Sequence, residues 1–142
     1  MDFKKFLIGT LVGGITYFIL GYLFYGMLLN SFFTQHSIAP SGSMKAMADI
    51  IWWALVLGNL FMGALLTYIF LKVGSVKSFG SGASTGAAVG FFLWLSIDLI
   101  NFSTQNSFTH KSLLADVVVG IVMTAIAGGI IGAVLGMGKA KS

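Results

Sequence analysis

Four long apolar stretches separated by short polar ones set the pattern of this chain. Met1–Lys5 is charged (Asp2, Lys4, Lys5), and then no charged side chain appears from Phe6 to Leu29. A second apolar stretch opens at Asp49 and runs to about Leu71. A third runs from about Gly82 to Phe102 and a fourth from about Leu113 to Met137. A bilayer core takes about 20 helical residues to cross, so each stretch is long enough to span one. The pattern predicts spans over 6–29, 48–71, 82–102 and 113–137 within a single membrane domain, 1–142. Short connections make consecutive helices antiparallel neighbours. The expected fold is therefore all-α, a polytopic antiparallel four-transmembrane-helix bundle.

The first stretch is too long for the apolar core of a secretory signal, about 7–15 residues, and no small-residue cleavage site follows it. It reads as a retained span. Asn30–Met47 is the longest connection and holds the lone proline, Pro40. Phe32 and Phe33 there, Trp52 and Trp53 at the start of span two and Tyr68 at its far end fit interfacial aromatic belts.

Lysines set the orientation. The two termini and the middle connection share one side, which carries Lys4, Lys5, Lys72, Lys77, Lys139 and Lys141. The opposite side has Lys45 and Lys111. Positive residues are retained on the cytoplasmic face, so both termini are expected in the cytoplasm.

Composition sharpens the class. Only 8% of the 142 residues are charged, against about 25% in soluble domains, and the mean hydropathy is +0.96. That leaves too little polar surface to cover a water-soluble globule. A net charge of +4 would raise nucleic-acid binding in a soluble chain, but there is no Arg and most lysines flank apolar runs. They act as topology signals and headgroup anchors, and nucleic acid is dropped as a partner. With no Cys, disulfides, lipid-modified cysteine, thiolate zinc sites and thiol redox catalysis are excluded.

Small residues recur at four-residue spacing: Gly82, Gly86 and Gly90 in span three, Gly128, Gly132 and Gly136 in span four, and Gly9 and Gly13 in span one. This spacing puts them on one helix stripe and lets backbones approach closely. All fall in the cytoplasmic half. They predict close helix packing there, either within the chain or against a partner helix or a second copy.

Polar groups gather at the other end. Asp49, Asp98 and Asp116 all map to the outer half, with His36, Lys45, His110 and Lys111 in the outer loops. Asp49 and Asp116 are expected in first helical turns, where a carboxylate complements the helix dipole. Asp98 sits deeper, where charge is costly and usually faces a bundle interior or a water-filled cavity. Two readings stay open for it: a structural hydrogen bond to Asn59, Tyr25 or a backbone amide, or a functional role. Asn101 and Trp94 share its helix face. Straight-helix geometry at 100° per residue points Asp98 and Asp116 away from their glycine stripes, toward the bundle centre or another neighbour. The candidate ligand-binding set is Asp98, Asn101, Trp94, Asn59, Asp116 and Asp49, lining a recess that opens outward.

No cofactor or metal site is expected, because no ligand pair has metal-binding spacing. Gly80-Ser81-Gly82 is only a broken piece of a nucleophile elbow, and no phosphate-binding loop is present. The chain does not read as an enzyme. Asn101-Phe102-Ser103 matches a glycosylation triplet by chance, at a helix end.

Gly21-Tyr22-Leu23-Phe24-Tyr25-Gly26, Trp53-Ala54-Leu55-Val56-Leu57-Gly58-Asn59-Leu60-Phe61 and Gly82–Asp98 with the glycine-rich last span resemble small four-span bacterial membrane proteins. They are similar to a domain-of-unknown-function family, the 1761-like proteins of the Bacteroidetes type. The resemblance implies the four-span fold and a bacterial inner-membrane address, and brings no catalytic residues. Three functions are carried forward: a non-enzymatic bundle binding a small ligand, ion, proton or lipid headgroup; an interaction or assembly protein, homo-oligomeric or with a partner membrane protein; and, more weakly, a small proton-coupled transporter. Four-span multidrug exporters carry an acidic residue in span one, and Phe6–Leu29 has none.

Overall fold

The computed structural model describes residues 2–24, 50–104 and 109–137. Among the described residues four helices make up the fold: α1 (Phe3–Gly21), α2 (Trp52–Val73), α3 (Phe79–Thr104) and α4 (His110–Gly136). Each is long and apolar enough to cross a membrane. Tyr25, His36, Lys45, Asp49, Lys139 and Lys141, with the Asn30–Met47 connection, lie outside the described residues.

Local chemistry explains where the helices begin and end. Asp2 caps α1, its Oδ1 accepting the Lys5 N–H at 3.2 Å. Helix α2 stops at Gly74, whose φ of 80° is left-handed and whose N–H closes on Phe70 O, a conformation that favours glycine. Ser78 and Ser81 bond each other's backbone N–H reciprocally at the start of α3, and Thr109 and Ser112 form the same capping box on α4.

The boundaries move one expectation, while the expected first-turn place of Asp49 lies outside the described residues. Helix α4 begins at His110, three residues earlier than expected, so its first turn holds no acid and Asp116 lies in the second. The dipole of an exposed first turn, which fades within one turn, does not account for Asp116.

The helices pack as two hairpins, α1 with α2 and α3 with α4, joined mainly where α1 and, less extensively, α2 meet α4. Helix α4 is the hub: 56% of its apolar window is buried, against 17–22% in the other three. Tyr17, Leu66, Phe70, Met123, Ala127, Ile131 and their neighbours form the core between α1, α2 and α4. Helix α3 packs almost wholly on α4.

The outside is as apolar as the inside. Leu7, Leu11, Ile15 and Ile19 form an exposed row on α1, and Trp53, Phe61, Phe92 and Leu114 are each about two-thirds exposed or more. Such an exterior suits lipid tails and not water. The first turn of α1, the α2–α3 connection and the last turn of α4 line shared clefts, so they lie at one end of the bundle. Lys4, Lys5 and Lys77 are therefore on the same side.

A buried carboxyl pair at the end of a glycine ladder

The site is best built from the α3–α4 seam. A Cβ added to Gly82 would collide with the carbonyl of Gly128 and come within 3.1 Å of Gly132 Cα; one on Gly86 would meet Thr124 O at 2.5 Å. One on Gly90 would meet Thr124 Cβ at 2.9 Å, and one on Gly120 would strike the Trp94 ring at 2.5 Å. The contacts step by four residues on each helix: Gly82 with Gly132 and Gly128, Gly86 with Gly128 and Thr124, Gly90 with Thr124, Trp94 with Gly120. The next step pairs Asp98 with Asp116, and the two side chains are within hydrogen-bond reach.

This ladder overturns the expected direction of the two carboxyls. On a straight helix each four-residue step drifts about 40° around the axis, and that drift aimed both aspartates away from the seam. Helices that pack along their i, i+4 rows cross at an angle and keep the row in contact. The glycine stripe and the aspartates are one row.

Depth matches as well. Asp98 is six residues before the end of α3 and Asp116 six residues after the start of α4, roughly 9 Å from the helix ends in each case. The Thr109–Ser112 capping box starts α4 early enough to bring Asp116 level with Asp98.

Asp98 is only 2% exposed, and its Oδ2 has no hydrogen-bond partner. Asp116 and Asn101 are half-buried and both carry interactions. Ser112, 2% exposed, spends its hydroxyl within the capping box. At Asp98 itself the seam is closed, and the carboxyl is buried beside Asp116.

The remaining members of the expected set are placed differently. Trp94 sits one step below Asp98 and donates its indole N–H to Thr124 Oγ1 at 3.0 Å. Asn59 does not join Asp98: its amide donates to Leu55 O of its own helix at 2.8 Å, and α2 makes little contact with α3. Asp49 lies outside the described residues. Gly9 packs on Thr67, Gly13 on Gly63 and Ile131, and Gly136 on the carbonyl of Lys77.

Thr124 is a polar node that the spacing arguments missed. Its hydroxyl accepts from Tyr17 at 2.5 Å and from Trp94, and donates to Gly120 O at 2.8 Å. One side chain thereby ties α1, α3 and α4, with every polar capacity of its oxygen used. Threonine in an apolar helix is usually self-satisfied by its i−4 carbonyl, and that habit hid its further partners.

No family model, curated protein or solved structure matches this chain. The site rests on its own geometry.

Proposed function

We propose that this is a non-enzymatic multi-pass protein of the bacterial inner membrane whose Asp98–Asp116 pair binds a proton or a small cation. Both termini would face the cytoplasm, and membership of the family that the spans resemble belongs to the same proposal. The observation that carries the reading is the Asp98 oxygen, buried without a partner beside a second carboxyl. Two carboxyls in hydrogen-bond contact need one proton between them, and a cation satisfies the same oxygens. Neither an anionic headgroup nor a second acceptor suits the pair. Transport coupled to that proton is the stronger form of the same reading.

Infrared spectroscopy of the protein in lipid tests it. The expected result is a carboxylic-acid C=O stretch that changes with pH or with added sodium and disappears in Asp98→Asn. No responsive carboxyl band, or one that persists unaltered in Asp98→Asn, overturns the reading.

A second reading, assembly with a partner helix or another copy, draws on Asn59. Its half-buried amide lies in mid-span beside Gly58, where an added Cβ would meet open space. The α3–α4 glycines are occupied within the chain and give that reading no support. If it holds, Asn59→Leu weakens a detergent-stable complex; a protein that runs as a lone monomer before and after substitution counts against it.

A further inference from the structure

At the lysine-rich end a cleft of about 510 Å³ opens between the first turns of α1 and the last turn of α4. Its polar rim is Asp2, Lys4 and Lys5; its walls are Ile8, Val134, Leu135 and Met137. A smaller cleft of about 160 Å³ shares Asp2, Lys5 and Leu135 and adds Lys77, so Lys5 stands between the two.

We propose that the larger cleft binds one anionic glycerophospholipid, with its phosphate at Lys4 and Lys5 and an acyl chain along Ile8, Val134 and Met137. Three features support this occupant. The charges match, because the rim carries two ammonium groups and one carboxylate, and Asp2 Oδ1 is already engaged by the Lys5 N–H. The walls are apolar and accessible, with Ile8 39% and Met137 70% exposed, which a soluble phosphate would leave wet. The apolar surface also continues inward, because Leu11 and Ile15 are exposed at i+3 and i+7 from Ile8, on the same helix face. A headgroup at the lysines thus has a track for its tail. The site lies at the opposite end of the bundle from Asp98 and is independent of the carboxyl pair.

Native mass spectrometry of the full chain from nanodiscs with equal phosphatidylglycerol and phosphatidylcholine reads the proposal directly. The expected result is selective retention of phosphatidylglycerol, reduced about five-fold for each lysine removed in Lys4→Gln and Lys5→Gln and restored in Lys4→Arg/Lys5→Arg. Both lysine side chains lie outside the core and the Asp2 cap uses only the Lys5 backbone, so the glutamine variants keep the fold. Lys111→Gln, at the other end, and Asp98→Asn should leave retention unchanged. Equal retention of the two lipids, an equal loss in Lys111→Gln, or full displacement by glycerol phosphate would each overturn the assignment.

Discussion

Tyr17 on α1 donates its hydroxyl to Thr124 on α4 at 2.5 Å, across the interface that joins the two hairpins. Thr124 also takes the Trp94 indole, so replacing it leaves two donors in apolar surroundings. Thr124→Val keeps the shape that fills the space above Gly90 and removes only the oxygen. The variant should lose about 1–3 kcal/mol of unfolding free energy. Tyr17→Phe removes one bond and leaves Thr124 still bonded to Trp94 and Gly120, so it should cost less, about 0.6–1.7 kcal/mol as for other interhelical bonds in membranes. Reversible unfolding in mixed micelles measures both, and equal losses would show that Trp94 contributes nothing to the node.

The glycine ladder makes a position-specific forecast. Gly82→Ala drives a methyl into the backbone of α4, which cannot rotate away as a side chain can. A loss of about 1–3 kcal/mol or a splayed hairpin is expected. At Gly58 and Gly80 an added Cβ meets nothing within 4 Å, and alanine there should be neutral or gain up to about 1 kcal/mol from helix propensity. Thermal stability of the three variants in one detergent checks the contrast. A uniform response would mean that glycine acts through propensity and not through contact.

Asp98 should separate stability from function. Its buried Oδ2 lacks a partner, and such a group costs free energy that an apolar side chain does not, while Asp116, half-buried and holding a further interaction, is not left stranded. Asp98→Leu should therefore melt at the same temperature as the parent protein or higher, while the pH- or sodium-dependent carboxyl signal is lost. A strongly destabilised Asp98→Leu would instead mark Asp98 as a structural strut, and circular-dichroism melts decide between the two.

Much of this fold is legible in the sequence because lipid makes simple demands. Phe6–Leu29 carries no charge and each of its three counterparts only one carboxylate, over lengths able to cross a membrane. The four-residue glycine spacing announces the α3–α4 seam for the same reason: a backbone approach is possible only where side chains are missing. The carboxyl pair is harder to read. A straight-helix projection separates Asp98 from the stripe of Gly82, Gly86 and Gly90, and only a crossing of the helices restores it to the row. Thr124 and Gly120 are hidden because each has an ordinary local explanation, a back-bonded hydroxyl and a small residue in a small-residue helix. Their partners lie 107 and 30 residues away in the chain for the Tyr17 and Trp94 bonds, and no local pattern encodes such a distance.

The start of α4 gives the last prediction, because Asp116 lies only six residues beyond it. Thr109 Oγ1 accepts the Ser112 N–H at 3.1 Å, and Ser112 Oγ accepts the Thr109 N–H at 2.8 Å. Losing a cap of this kind costs about 0.5–2 kcal/mol and frays the first turn. Thr109→Ala should therefore speed hydrogen exchange at the amides of Ser112 and Leu113 while leaving those beyond Val117 protected, since Val117, Val119 and Gly120 are buried in the bundle. Asp116 sits at the edge of that frayed turn, so the same variant should also broaden the infrared carboxyl band of the pair. If exchange rises at Ser112 and the band keeps its width, the ladder rung at Gly120 and Trp94, and not the cap, holds Asp116 against Asp98.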